Sequence, residues 1–250
     1  IASMRLTSSS ALAVRSFRQF LWKDLPGARQ PKNPDGTPYY PAAVWERLRL
    51  SSKSHWDVPI TLGRRTIHVL AAHPTPPTFD GAEDRNGTRN HDEIRLWADY
   101  VTGGKAAAYL YDDAGRRGGL KQGERFVILG DYNADPLDGD SVDGAINQLL
   151  DHPRIDNSFL PSSEGAVEAA ALQGRDNLTH RGNPAYDTAD FSEPPGNLRV
   201  DYVLPSRGMP TVDGGVFWPT REDPLSRLTG TYPFPSSDHR LVWKDVRFPH

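Results

Sequence analysis

The sequence predicts an α/β fold, because short apolar runs that end in polar residues alternate with stretches whose apolar residues recur at helical spacing. Three segments carry that reading. Arg125-Phe126-Val127-Ile128-Leu129 is a compact apolar run leading into Gly130-Asp131, the pattern of a buried strand whose end delivers a polar side chain. Ile94, Trp97, Ala98 and Val101 share a helical face behind Asp92 and Glu93, acids that suit the first turn of a helix. Residues 56–60 and 65–72 read as two strands around a turn at Gly63, and the second leaves His73 at its end, before Pro74.

In chain order, residues 12–20 alternate through Ala13, Arg15 and Phe17 and suit a short strand. Residues 25–41 are dense in Pro, Gly and Asn and form a loop; residues 41–48 then place good helix formers behind an initial Pro41. The two strands around Gly63 follow, then a polar loop over 74–91, then a helix over 92–101. After the strand at 125–129 a second helix runs over about 142–150. Residues 152–197 are rich in Gly, Pro, Asp and Asn and read as irregular chain. Residues 198–204 form a strand carrying Asp201, and residues 241–246 a last strand that starts just after Asp238-His239. Neither an internal repeat nor a linker interrupts the 250 residues, so residues 1–250 are read as one domain.

Composition narrows the function. A net charge of −3 argues against a nonspecific polyanion binder, whose affinity comes from many Lys and Arg on phosphates. Nucleic acid stays an allowed partner, though not one the charge favours. Without cysteine there is no disulfide, thiolate metal site or thiol nucleophile, which fits a reducing or an extracytoplasmic compartment. An extracytoplasmic or secreted setting is preferred, and no apolar run is long enough to anchor the chain in a membrane.

The polar residues that carry chemistry lie at strand ends: His73, Asp131 with Asn133, Asp201, and Asp238 with His239. Such a set can converge at one edge of a sheet. Hydrolysis of a phosphate ester needs donors or a cation for the equatorial oxygens, a polarised water, and an acid or metal for the leaving oxygen. Each piece also has a plainer reading: Gly130-Asp131-Tyr132-Asn133 as a turn, and Ser236-Ser237-Asp238-His239 as a capped surface loop. Asp201 is the least easily dismissed, since a carboxylate between Val200 and Val203 is costly to bury without a partner.

Together, and in this order, Gly130-Asp131-Tyr132-Asn133, Val200-Asp201-Tyr202-Val203-Leu204 and Ser237-Asp238-His239 resemble the endonuclease/exonuclease/phosphatase superfamily, over about residue 55 to the end. His73 is similar to a second active-site histidine of that family. The resemblance implies a four-layer α/β sandwich, with two mainly antiparallel sheets packed face to face and helices outside. It implies a divalent-metal-dependent hydrolase of phosphate mono- or diesters, with nuclease, phosphatase and phospholipase-type substrates all open. By the same resemblance His239 polarises the attacking water, Asp201 holds its imidazole, and Asp238 binds the metal. Asp131 positions the nucleophile or protonates the leaving oxygen, Asn133 hydrogen-bonds the phosphate, and His73 donates to a phosphate oxygen. An oxygen-rich site of this kind suits Mg²⁺, with Mn²⁺ or Ca²⁺ as substitutes.

The family also uses an Asn and a metal-binding Glu in its amino-terminal half, and nothing before His73 matches either. Glu46 is the only glutamate upstream of His73, and its place in a predicted helix beside Trp45 and Arg47 makes it a surface residue. The expectation is a domain that starts partway through the fold, with an amino-terminal segment of the same protein as its missing partner. The competing reading is a catalytically incompetent fragment, or a partner-binding domain, that retains half of the site. Weaker candidates are Arg85, Arg89 and Asn90, which could grip substrate or belong to a polar loop with a helix cap. Residues 53–57 mix reactive types, with His55 and Trp56 read as packing residues. A structural Ca²⁺ on Asp135, Asp138, Asp140 and Asp143 is disfavoured, because the spacing misses the EF-hand pattern.

Overall fold

The computed structural model describes residues 14–248. Strands β1 (Arg15–Ser16), β2 (His55–Leu62), β3 (Arg65–Ala72), β4 (Arg125–Asp131) and β5 (Asp201–Pro205) form one sheet in that order. Its neighbours are antiparallel except β3 and β4, which run parallel. A parallel pair needs a crossover, and helix α2 (Arg85–Thr102) lies within it. Strands β6 (Thr211–Phe217) and β7 (Leu241–Val246) form a second, antiparallel sheet, and β7 lies against β5. The remaining α-helices are α1 (Ala42–Trp45), α3 (Asn147–Leu150) and α4 (Glu164–Gln173). The fold is therefore α/β with two mainly antiparallel sheets, one of them mixed and the other two-stranded.

Alternation along the strands decides which face is the core. Leu70 of β3, Phe126 and Ile128 of β4, and Tyr202 and Leu204 of β5 are all buried, in one cluster with Ile94, Trp97, Tyr100 and Val101 of α2. Their sequence neighbours Val69, Val127, Leu129 and Val203 face the other way and are only half-buried. The same cluster takes in Phe17, Phe20, Trp22, Leu25 and Leu50, so the segment before β2 is part of the core. Buried acids of α2 hold that segment in place. Asp92 accepts from Trp22 Nε1 and from the Arg29 amide, each at 2.7 Å. Glu93 accepts from the Ser52 amide at 2.7 Å and from the Thr75 amide at 2.6 Å, which ties the chain after β3 to the helix. A separate cluster packs Ala166 of α4 on Val216 of β6 and on Trp218 just after it.

Several elements differ from the sequence reading, each for an identifiable reason. Helix α2 begins at Arg85, not at Asp92, because its first turns are stabilised by polar contacts that leave no apolar period. Helix α4 lies inside the stretch read as irregular; its Ala-rich run has a weak apolar face, although Ser163 caps it by accepting from the Ala166 amide. Strand β6 escaped notice because Gly214 and Gly215 interrupt its pattern. The helix expected over 142–150 is broken: Asp143 and Gly144 have φ of 47° and 60°, leaving a 3₁₀ turn and the short α3. The helix expected over 41–48 shrinks to four residues, and the strand over 12–20 to β1, with residues 12 and 13 outside the described region. Strand β5 starts at Asp201, three residues later than expected. Strands β3 and β7 match the ranges read from sequence. Glu46 is exposed and pairs with Lys23 at 2.7 Å. His55 is buried and packs edge-on against Trp97, whereas Trp56, expected to pack, is 51% exposed.

Candidate active site

The site forms where β3, β4 and β5 end together. In the parallel β3–β4 pair Ala71 stands opposite Leu129, so His73 and Asp131 follow on neighbouring strand ends. The strands can close this far because residue 130 is glycine. Its φ is 142°, and a Cβ there would sit 2.0 Å from the Ala72 carbonyl oxygen. His73 Nε2 is consequently 3.2 Å from Asp131 Oδ2. On the other side Asp131 pairs in register with Asp201 of β5.

His239 completes the group from the turn before β7. Its Nδ1 is 2.9 Å from Asp201 Oδ2, and its Nε2 is 3.8 Å from Asp131 Oδ2. An Nδ1–H donated to Asp201 leaves the Nε2 lone pair facing Asp131 across a gap too long for a direct hydrogen bond. Thr188 fixes the Asp201 carboxylate: its hydroxyl donates to Asp201 Oδ2 at 2.9 Å and accepts from the Val200 and Asp201 amides. The Phe191 ring meets the His239 imidazole edge to face, with centroids 5.3 Å apart. Sequence reasoning missed Thr188 and Phe191. Both lie in the irregular stretch, where neither periodicity nor motif marks them.

The electrostatics follow from this crowding. Burial and the neighbouring Asp201 charge push the Asp131 carboxyl up to about 6, against the pull of His239, the Asn133 amide and Lys53. For His239, burial acts downward, but the hydrogen bond and charge of Asp201 outweigh it, helped by Asp131 and Asp238, and hold the imidazole above its usual value. His73 is held below its usual value by burial, then by the charges of Lys53 and His239. Lys53, from the stretch judged weak in sequence, thus lies within electrostatic reach of the site.

The other residues singled out from sequence are placed as follows. Asn133 has φ of 50° and donates its side-chain amide to the Pro74 carbonyl at 3.1 Å and to Asp131 Oδ2 at 3.3 Å. Both hydrogens are committed to the turn, so it braces Asp131 and does not point a free donor at a phosphate. Asp238 lies within electrostatic reach of His239 and Arg240, but its carboxylate is outside the group formed by Asp131, Asp201 and His239. Asn90 is fully buried and donates to the Thr75 and Tyr132 carbonyls. Arg89 donates to the Leu50 and Arg49 carbonyls, and Arg85 pairs with Glu83 and donates to the Phe79 carbonyl. The polar start of α2 is therefore a brace between segments: Asn90 has no amide hydrogen left for substrate, and Arg85 and Arg89 each direct part of their guanidinium to neighbouring protein groups.

Asp131, Asp201 and His239 offer ligand atoms that all lie within 4.8 Å of one another. Two carboxylates and an imidazole suit a hard divalent cation that completes its shell with water and phosphate oxygens. Asp201 Oδ1 carries no hydrogen bond among the described residues, so it is available to such an ion. The residues present fit a divalent metal.

Among solved structures, the chain is similar to an endonuclease/exonuclease/phosphatase from Beutenbergia cavernae, with 18% identity over 80% of this chain and 40% of that one and a TM-score of 0.45. It is also similar to a mannosyl-6-phosphatase from Bacteroides thetaiotaomicron, with 11% identity over 96% and 67% of the two chains and a TM-score of 0.47. A third is a 3′ phosphatase from Neisseria bound to product DNA hairpin, with 16% identity over 78% and 64% and a TM-score of 0.40. The chain spans 40%, 55% and 59% of the first three structures it matches. No curated protein matches it. The model of the Endonuclease/Exonuclease/phosphatase family matches residues 8–239, which takes in His73, Asp131, Asp201 and His239, and the chain belongs to that family.

Proposed function

We propose that this chain hydrolyses phosphate mono- or diesters with the help of a divalent cation, and that His239 activates the attacking water. One observation carries the reading: His239 Nδ1 is held by Asp201 at 2.9 Å while Nε2 faces Asp131 across 3.8 Å. A water or phosphate oxygen beside that gap bridges the two groups. His239 Nε2 takes the proton of the water, and Asp201 keeps the ring oriented and stabilises the imidazolium that results. Asp131 faces that gap as a carboxylate and positions the attacking water against His239 Nε2, and the leaving oxygen takes its proton from solvent. His73 and Asn133 hold the Asp131 carboxylate at its working angle.

A cation would be held through the oxygens of Asp131 and Asp201, which leaves His239 Nε2 for water. When bound, it supplies positive charge to the phosphoryl oxygens. Mg²⁺ is the expected ion, with Mn²⁺ or Ca²⁺ as substitutes, by the hardness of the donors.

The test is release of p-nitrophenol from bis(p-nitrophenyl) phosphate and from p-nitrophenyl phosphate, with Mg²⁺, Mn²⁺ or Ca²⁺ and with chelator. Metal-dependent turnover that His239→Ala abolishes is the expected result. Turnover indifferent to His239→Ala overturns the role given to His239, and none with any of the three ions overturns the whole reading in favour of a noncatalytic domain.

A further inference from the structure

A cleft of about 1060 Å³ opens between α4, residues 190–193 and the loop that joins β6 to β7. It shares a wall with the reacting centre. Phe191 lines the cleft and also makes a T-shaped contact with the His239 imidazole, and the Asp190 amide donates to the Asp238 carbonyl at 2.8 Å. Arg240, the residue after His239, braces that wall with a side chain that has no solvent exposure. It donates to Asp190 Oδ2 at 3.0 Å, and its guanidinium lies 4.5 Å from the Trp218 ring centre and 5.1 Å from that of Phe234.

The chemistry of the lining is donor-rich and aromatic. Its acids are already engaged: Glu168 accepts from the Arg221 amide, Asp190 from Arg240, and Glu193 from the Asn177 side chain. The guanidinium groups of Arg175 and Arg221 have no hydrogen-bond or ion-pair partner among the described residues. Tyr232 is 86% exposed at the mouth, its ring 6.1 Å from that of Phe234.

We propose that this cleft binds the part of the substrate beyond the scissile phosphoryl group, and that it selects small phosphoesters in which that part carries a planar ring and a second anionic group. The inference rests on His239 being the reacting centre, since Phe191 joins the two. A planar ring stacks on exposed aromatic and guanidinium faces, and the two unpaired arginines offer forked donors to a phosphate or carboxylate. An acyl chain would leave those guanidiniums without a counter-charge in the cleft it fills. The three engaged acids and the overall charge of −3 set the limit at a small ligand and disfavour a long polyanion.

Calorimetric titration with thymidine 3′,5′-bisphosphate tests this without turnover, with inorganic phosphate as the reference ligand. The expected result is tighter binding of the bisphosphate than of phosphate, weakened about tenfold by each of Arg175→Gln, Arg221→Gln and Tyr232→Ala. Binding of inorganic phosphate, which lacks the ring and the second anionic group, should weaken less than that of the bisphosphate in these variants. All three positions are exposed, and an unchanged melting temperature checks that the variants are folded. Equal affinity for the two ligands, or bisphosphate binding indifferent to the variants, overturns the proposal. Loss of the hydrolytic reading would appear separately, as absent turnover of bis(p-nitrophenyl) phosphate with bisphosphate binding intact.

Discussion

His239 Nδ1 and Asp201 Oδ2 lie 2.9 Å apart although 38 residues separate them in sequence. The contact joins the end of β5 to the turn before β7, one element from each sheet. It makes the imidazole a better base, since a carboxylate at one ring nitrogen favours a proton at the other.

Asp201→Asn keeps the size of the side chain and removes its charge. The hydrogen bond and charge of Asp201 are what lift His239 against the effect of burial, so the variant should shift the acidic limb of the rate profile to lower pH. The maximal rate should fall by about 10²–10⁴, because an amide favours the wrong tautomer and no longer stabilises the imidazolium. A pH series of kcat for both proteins checks this. A variant with the wild-type acidic limb would separate Asp201 from the titration of His239.

Asp131 should oppose folding at neutral pH. Its carboxyl moves from 3.8 to about 6 in the folded chain, chiefly by burial. The folded state therefore binds the extra proton within that window, and stability falls as pH rises through it and stays lower above. Asp131→Asn removes the buried charge. It should raise stability at pH 8 by up to about 3 kcal/mol, the equivalent of two pKa units, and leave it unchanged near pH 3. Calorimetric melting at the two pH values measures the difference, and an equal gain at both would refute the electrostatic origin.

Metal affinity should follow Asp131 and not Asp238. Asp238 shares the Ser-Asp-His phrase, but its carboxylate stands outside the three-residue group, which contains Asp131. Titration of Mn²⁺ by water-proton relaxation should show binding weakened about tenfold or more in Asp131→Ala and by less than about twofold in Asp238→Ala. The reverse order would restore the ligand role to Asp238.

Taken alone, the sequence determined the local pieces. The β-branched and apolar run over 65–72, bounded by the turn at Gly63 and by Pro74, and the apolar run at 125–129 mark β3 and β4, because a strand inside a sheet must be apolar where it packs. The same logic exposed His73, Asp131 and Asp201, polar residues at strand ends where burial without a purpose is costly. The need for glycine before Asp131, by contrast, is set by the neighbouring strand: only a residue without Cβ fits against Ala72 of β3. The tertiary structure decided which of these groups meet and which donors stay free. Asn133 and Asn90 look like phosphate ligands in sequence, yet the Pro74 carbonyl and Asp131 take the amide hydrogens of the first, and the Thr75 and Tyr132 carbonyls those of the second. Thr188 and Phe191 become part of the site only because β5 and the turn before β7 carry Asp201 and His239 to them. Local patterning reports how each segment pairs with solvent and core, whereas the identity of a side chain's partner depends on contacts between residues far apart in the chain.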